Sequence, residues 1–169
     1  MASKKHAHST GTPATVLLDR ESVPYKVHIY FHAPSAGSYG LEAAELLGVE
    51  PGMVFKTLLV ATGEAGAAAL AVGIVPVDRS LDLKSMAAAL GLKKVEMADP
   101  AAAERRTGYV RGGISPLGQR NPSRTVIDAS AMEMGKIYVS GGHRGLEIEL
   151  APADLQRLTG ALFAPIASR

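Results

Sequence analysis

The segment from Thr107 to Gly118 has the composition of a loop that binds a ligand through its backbone. It reads TGYVRGGISPLG, with four glycines, one arginine and no helical or strand periodicity. Glycine lets backbone N–H groups approach a ligand closely and adopts positive φ, so Gly112 and Gly113 beside Arg111 are suited to hold a carbonyl, carboxylate or phosphate oxygen. A tight turn between two strands is the simpler interpretation of a Gly-Gly pair. The length of the segment and its Ser-Pro dipeptide reduce the preference for a turn, so the ligand-binding loop stays a candidate.

Lys56 is a second candidate, because it stands inside the apolar run from Val54 to Val60. Strand alternation places it on the same face as Val54 and Leu58, where an ammonium group is costly unless it reaches water, pairs with an acid or binds a ligand. A lysine on an edge strand, with its amine in water, is the competing interpretation. Thr57 faces the other way in a regular strand, so alternation alone does not bring both side chains to one site.

The usual sequence patterns of enzyme chemistry are weak or missing elsewhere. Ser140 and His143 are three residues apart, but the two glycines between them favour a hairpin turn. The chain contains no Gly-x-Ser-x-Gly, Ser-x-x-Lys, Gly-x-Gly-x-x-Gly or Walker A pattern, so neither an activated serine nor a nucleotide cofactor is supported. It also contains no cysteine, which excludes disulfides, thiolate metal sites and a cysteine nucleophile.

Metal binding and RNA binding each have one weak signal. His28 and His32 have the spacing of a helical metal pair, but they lie in and just after a predicted strand, where that spacing does not converge. We therefore expect no metal and no cofactor. Arginines flank the predicted loops and suit phosphate contacts, but they are equally typical of a solvated surface. They are Arg105, Arg106, Arg111, Arg120, Arg124 and Arg144.

Length and composition predict one globular domain. The chain has 169 residues, of which 47% are hydrophobic and 20% are charged, with a net charge of +2. Residues 1–11 are polar and basic and lead into no apolar segment, so we expect a disordered tail there and a folded domain over residues 12–169. No apolar run reaches the roughly 18 residues that cross a bilayer, so we expect a soluble, cytoplasmic protein that binds no membrane.

The elements that must position these residues alternate irregularly between helix and strand. Helical patterns occupy residues 13–21, 40–47, 81–90, 100–105 and a closing segment from Pro152, and strand patterns occupy residues 25–31, 54–61, 67–75, 93–97, 124–128, 136–140 and 146–150. Because they show no regular βαβ repeat, we predict an α+β fold with a curved, partly barrel-like mixed sheet flanked by helices.

Taken together, these motifs resemble the YbaK family of prolyl-tRNA-synthetase-associated editing domains. The resemblance covers Thr12 to about Ala167 and rests on five segments at fixed positions. These are FKTLLV at 55–60, LDLK at 81–84, KKVEMADP at 93–100, GYVRGGISPLG at 108–118 and YVSGG at 138–142. Co-occurrence over such a length is far more specific than any single motif.

The resemblance implies a deacylase that removes a mischarged amino acid from tRNA, here cysteine from Cys-tRNA(Pro). Its reaction would be substrate-assisted, with the cysteine thiol attacking its own ester, and its partners would be aminoacyl-tRNA and prolyl-tRNA synthetase. A weak homodimer is a further candidate assembly. By position, the resemblance gives catalytic roles to Lys56, Gly112 and Gly113. It gives substrate contacts to Tyr30, Tyr39, Thr57, Ile114, Ser115, Ser140 and Glu147, although the family usually has Asp where this chain has Glu147.

The residues themselves fit ester hydrolysis, because backbone N–H groups of Gly112 and Gly113 are suited to stabilise an oxyanion. Two alternatives stay open. A related deacylase would cleave Ala-tRNA(Pro) or another small aminoacyl-tRNA with an attacking water. A non-catalytic module would use the same pocket only to hold RNA or another ligand.

Overall fold

This computed structural model describes residues 11–31 and 39–168. The predicted tail, apart from Gly11, lies outside the described residues. His32, one of the two candidate metal ligands, also lies outside them. Within the described ranges, no helix is both long enough and apolar enough to cross a membrane.

The helices begin and end where local side chains and backbone favour it. Thr12 accepts a hydrogen bond from the Thr15 N–H in a capping box. The carboxylates of Asp82 and Asp99 accept backbone N–H groups at the starts of two later helices. The helix after Asp99 ends at Gly108, whose φ of +80° suits glycine. The five described α-helices are α1 Pro13–Arg20, α2 Tyr39–Leu47, α3 Leu83–Leu90, α4 Pro100–Thr107 and α5 Pro152–Thr159.

Ten described strands form three sheets. They are β1 Lys26–Ile29, β2 Phe55–Ala61, β3 Leu70–Pro76, β4 Ser80–Leu81, β5 Glu96–Met97, β6 Arg124–Asp128, β7 Ile137–Ser140, β8 Leu146–Leu150, β9 Leu162–Ala164 and β10 Ala167–Ser168. The five-stranded sheet has the order β5-β2-β3-β6-β9, the three-stranded sheet β1-β8-β7, and β4 pairs with β10. The β3–β6 and β6–β9 pairs are parallel and the others are antiparallel, so the five-stranded sheet is mixed.

The two larger sheets meet at the start of β2. Val54, the residue before β2, forms a parallel bridge with Tyr138 in β7. The main core lies between these sheets and is closed by α1 and α5, with Leu18, Phe55, Ile148 and Leu155 at most 2% exposed. This arrangement confirms the predicted α+β class with a mixed sheet and flanking helices.

The predicted elements are found close to their expected bounds, with a few differences. The strand pattern at residues 25–31 shortens to β1, and the pattern at residues 93–97 shortens to β5. Strands β4, β9 and β10 have two or three residues each, too few to show a period of two in the sequence. The strands also divide among three sheets, where the sequence predicts one curved sheet.

Candidate functional site

A cavity of about 440 Å³ opens where the two larger sheets diverge. Six consecutive residues from Val54 to Leu59 line one wall. The other walls come from the residue after β1, the start of α2, the residue after β3, the segment from β5 into α4, the loop after α4, and the β7–β8 pair. They contribute Tyr30, Tyr39, Gly40, Val77, Met97, Ala98, Pro100, Ala103, Arg111, Gly112, Ile114, Ser140 and Glu147.

The wall along β2 exists because one edge of that strand is only partly paired. β2 pairs with β3 along its whole length, whereas its other edge bridges β7 at Val54 and pairs with β5 only at Val60 and Ala61. The Leu59 C=O accepts the Ala98 N–H at this second edge. Since backbone groups of a strand alternate in direction, the N–H and C=O of Thr57 point toward the same edge, in the stretch between β7 and β5.

This open edge explains how Lys56 and Thr57 both line the cavity although they belong to opposite faces of the strand. Lys56 is half-buried, and that burial lowers the pKa of its amine, while the nearby charge of Asp78 opposes the shift. Thr57 is 8% exposed, and its Oγ1 is buried without a hydrogen-bond partner in the described chain. A cation and an unsatisfied hydroxyl therefore border one cavity.

The glycine-rich loop contributes Gly112 and Ile114 to the cavity wall, but Gly113 and Ser115 do not line it. Gly112 has φ of +91°, and no described residue accepts a hydrogen bond from its N–H. The Gly113 N–H donates to the Val110 C=O, and a Cβ at Gly113 would lie 2.5 Å from the His143 Cα. Gly113 therefore serves close backbone packing, and its N–H is engaged within the loop.

Ser115 has a similar internal role in this structure. It is fully buried, and its Oγ accepts a hydrogen bond from the Leu117 N–H at 3.2 Å. Because the hydroxyl is turned into the loop and away from the cavity wall, the geometry supports a role for Ser115 in shaping the loop. Ser115 does not line the cavity, and its contact with the substrate stays a prediction.

The opposite wall carries an acid in an unfavourable environment. Glu147 in β8 faces Ser140 in β7 across the ladder, and both line the cavity. Glu147 is 7% exposed, its Oε1 has no partner among the described residues, and burial raises the pKa of its carboxyl to about 8. Burial also raises the pKa of Tyr30 to about 12, and the charge of Glu147 adds to that shift.

No hydroxyl among the described lining residues is activated as a nucleophile. The Ser140 Oγ accepts the Gly142 N–H at 3.1 Å, and no hydroxyl that lines the described cavity is hydrogen-bonded to a carboxylate or an imidazole. His143, the residue weighed as a base for Ser140, is absent from the lining and has its Nδ1 3.1 Å from the Arg144 C=O. The structure therefore gives no support to a Ser140–His143 pair.

Half of the arginines that flank the loops have hydrogen-bond or ion-pair partners within the protein. Arg106 donates to the Ala67 C=O and to Ser123 Oγ, Arg124 lies 2.7 Å from Glu64, and Arg144 lies 3.4 Å from Glu42. Only Arg111 of the six lines the cavity. Their clustering in sequence thus reflects loop architecture as much as a surface for RNA.

Sequence reasoning did not identify two parts of the site. The apolar side of the cavity includes Phe55, Val77 and Met97, whose types do not distinguish a pocket wall from a core. Arg144 lies over the ring of Tyr39, with its Cζ 3.9 Å from the ring centroid. The sequence shows Arg144 two positions after Gly142, but only the fold shows which aromatic ring this arginine contacts.

The histidine weighed as a metal ligand has another partner. His28 Nε2 lies 2.7 Å from Glu149 Oε1, and Lys136 Nζ lies 3.2 Å from the other oxygen of the same carboxylate. Across residues 11–31 and 39–168, no three His, Asp or Glu side chains are grouped as a metal site.

Comparisons with known proteins agree with this geometry. The family model of the aminoacyl-tRNA editing domain matches residues 34–158. The chain is 39% identical over 170 residues to EbsC of Enterococcus faecalis, a candidate Cys-tRNA(Pro)/Cys-tRNA(Cys) deacylase, and the alignment covers 100% of this chain and 99% of that protein. It is also 33% identical over 129 residues to a proline–tRNA ligase of Nitratidesulfovibrio vulgaris, covering 75% of this chain but only 20% of the ligase.

Solved structures show the same fold. A crystal structure of a hypothetical protein superposes with a TM-score of 0.80 at 26% identity, covering 93% of this chain and 100% of that one. A candidate trans-editing enzyme for prolyl tRNA synthetase superposes with a TM-score of 0.78 at 23% identity, covering 93% and 96% of the two chains. The chain therefore belongs to the aminoacyl-tRNA editing domain family and is an aminoacyl-tRNA deacylase.

Proposed function

We propose that this deacylase hydrolyses Cys-tRNA(Pro) and that the thiol of the bound cysteine is the nucleophile. One observation carries the proposal: the cavity joins a cation and an available backbone N–H, yet its described lining offers no activated side-chain nucleophile. Ester cleavage needs both an attacking group and stabilisation of the developing oxyanion. The protein supplies the second, and we assign the first to the substrate thiol, with a bound water as the alternative.

In the proposed reaction, the substrate sulfur attacks the carbonyl carbon of its own ester. The Gly112 N–H donates to the oxyanion that forms, because this group has no other acceptor among the described residues. The bond between the carbonyl carbon and the ribose oxygen then breaks, and the ribose oxygen receives the proton that the thiol gave up. Cysteine leaves as a thiolactone, which water opens to free cysteine.

Lys56 acts in this scheme as an electrostatic anchor for the tRNA 3′ end or the ester carbonyl. Lys56 lines the same cavity as Gly112, and burial in the protein lowers the pKa of its amine. Covalent attack by this amine would leave an amide on the enzyme, which a hydrolase would then have to cleave. If Lys56 only orients the substrate, this amide does not form.

Glu147 and Thr57 are suited to hold the aminoacyl group. A free α-amino group carries a positive charge, and a buried carboxyl without a partner gains a favourable contact when such a charge enters. The Thr57 hydroxyl, also unpartnered, lies on another wall of the cavity. Tyr30, Tyr39 and Ile114 complete the walls. Ser140 is placed to support Glu147 across the β7–β8 ladder.

Prolyl-tRNA synthetase is the proposed partner that presents the substrate. A segment similar to this chain lies inside proline–tRNA ligases, where it covers 16% to 20% of their length. The chain itself has a net charge of only +2, which suits weak tRNA binding of its own. A cytoplasmic location and a weak homodimer stay predictions.

A panel of aminoacyl-tRNAs tests the proposal directly. Cys-tRNA(Pro), Ala-tRNA(Pro) and 2-aminobutyryl-tRNA(Pro), in which a methyl group replaces the thiol, are incubated with the protein, and released amino acid is measured with and without synthetase. Thiol attack predicts that 2-aminobutyryl-tRNA(Pro) is cleaved at least about 100-fold more slowly than Cys-tRNA(Pro). Comparable cleavage of all three would establish the water mechanism. Tight tRNA binding with no release would establish the non-catalytic module.

A further inference from the structure

Arg144, Tyr39 and Gly112 are in successive contact at the cavity. The Arg144 guanidinium lies over the ring of Tyr39 at 3.9 Å from its centroid. The same ring touches the backbone of Gly112, since a Cβ built there would lie 2.8 Å from Tyr39 Cε2. Tyr39 and Gly112 line the cavity, whereas Arg144 does not. The Tyr39 ring therefore lies between Arg144, which is outside the cavity, and the loop that forms part of the cavity wall.

Arg144 is itself held from two directions. Its Nη2 lies 3.4 Å from Glu42 Oε1, and Glu42 follows Tyr39 by three positions in α2, so both project from one face of that helix. Its backbone packs on the loop, because a Cβ at Gly113 would lie 2.9 Å from the Arg144 N. The Arg144 side chain is only 20% exposed and that of Glu42 7% exposed, so water screens this pair weakly.

We propose that Arg144 is a positioning residue for the Gly112 N–H. It holds Tyr39 against the loop and thereby fixes where the backbone donor meets the reacting carbonyl. A planar cation over an aromatic ring supplies a directional contact that a flexible ammonium reproduces only in part. An oxyanion donor is effective only at the right distance, so a small displacement of the loop lowers the rate of the chemical step. This inference rests on the proposed function of the cavity.

A positioning role predicts a particular kinetic pattern. Because Arg144 does not border the cavity, replacing it should lower kcat and leave KM nearly unchanged. We expect Arg144→Met, which keeps an unbranched side chain but removes the charge and the planar group, to lower kcat about tenfold. Arg144→Lys keeps the charge and should recover part of that loss. The matched control is Arg157→Met, at an exposed arginine of α5 that does not line the cavity, which should leave both constants unchanged.

A double-mutant cycle with Tyr39→Leu gives the decisive measurement. If Arg144 acts through the ring, adding Arg144→Met to Tyr39→Leu should lower kcat by less than about twofold further. Fully additive losses, or a rise in KM at constant kcat, would overturn the proposal and place Arg144 in direct contact with the substrate. Thermal unfolding of each variant identifies loss of folding, and the Lys variant keeps the test available if the Met variant unfolds.

The outcome is separable from that of the proposed function. The cycle is run on whichever aminoacyl-tRNA the wild-type protein cleaves best in the panel. Wild-type cleavage of a substrate without a thiol refutes the proposed nucleophile and leaves the positioning test intact. Wild-type activity with an unchanged kcat in Arg144→Met refutes the positioning role alone.

Discussion

Lys56 is the only lysine that borders the described cavity, and its half-buried side chain stands among the mainly apolar residues of the β2 wall. We predict that Lys56→Ala lowers kcat/KM for Cys-tRNA(Pro) about 100-fold, because the variant loses an electrostatic contact in a site shielded from water. Deacylation under single-turnover conditions measures the effect. Lys93→Ala, at an exposed lysine, is the control. Unchanged turnover in Lys56→Ala would remove this side chain from the mechanism.

Glu147 offers a prediction about stability and pH. Its pKa is raised from 4.5 to about 8 by burial, so the folded protein keeps a proton that the unfolded chain releases within this window. The free energy of unfolding therefore falls as the pH rises from about 4.5 to about 8. Glutamine does not titrate, so Glu147→Gln should match the wild type near pH 4.5 and be more stable at pH 8 by about 3 to 5 kcal/mol.

Thermal unfolding of the two proteins between those pH values checks this expectation. Glu45→Gln, at an exposed position of α2, controls for the loss of a surface charge. A stability difference between wild type and Glu147→Gln that does not change with pH would show that the carboxyl is charged in the fold. The activity of the same variant reports separately on whether the carboxylate holds the substrate amine.

At the scale of elements, the glycine-rich loop connects α4 to β6 and sets one wall of the cavity. A side chain at Gly112 would have to adopt φ of +91° and would place its Cβ 2.8 Å from the ring of Tyr39. We predict that Gly112→Ala destabilises the fold by about 1 to 3 kcal/mol and lowers kcat about 100-fold, because the strained loop moves its N–H. Gly135→Ala is the matched control, since a Cβ there meets nothing within 4 Å.

Circular dichroism during thermal unfolding and single-turnover deacylation measure the two effects of Gly112→Ala separately. Loss of stability without loss of rate would mean that the loop shapes the fold and that its N–H is not the oxyanion donor. Equal effects at Gly112 and Gly135 would contradict the contact with Tyr39.

Gly112 and Gly113 show which features of this chain can be predicted from the sequence and which cannot. Composition and motif spacing identify the loop, the hairpin of β2 and β3, and the capped helices, because each depends on residues close together in the sequence. Which of two adjacent glycines lines the cavity depends on the backbone of His143, thirty positions away from Gly113. The same is true of the open edge of β2, which depends on where β5 and β7 pair.

Thr57 illustrates the same limit within one strand. Alternation correctly separates its side chain from that of Lys56, but it does not reveal that the cavity runs along the strand edge and meets both faces. Short strands such as β10 also cannot be predicted from the sequence, because two residues are too few to show an alternating pattern. Long-range pairing, rather than local propensity, thus decides which of the predicted residues share a site.

At the scale of the whole molecule, the low net charge limits how strongly the protein binds tRNA. The net charge is +2, because 18 lysines and arginines are set against 16 acidic residues, and Arg106, Arg124 and Arg144 already have hydrogen-bond or ion-pair partners within the protein. We predict that raising salt from about 50 to about 200 mM weakens tRNA binding by no more than about tenfold, the loss expected for about two phosphate contacts. Filter binding or fluorescence anisotropy with tRNA(Pro) measures this dependence.

The same weak binding predicts that prolyl-tRNA synthetase lowers KM without changing kcat. A synthetase that carries the substrate raises its effective concentration at the cavity, while the chemical step still depends on Gly112 and the substrate thiol. Titrating synthetase into deacylation of Cys-tRNA(Pro) and of Cys-tRNA(Cys) separates presentation from recognition, since only the first substrate should respond. Equal stimulation of both, or a steep salt dependence without synthetase, would show that this chain recognises tRNA by itself.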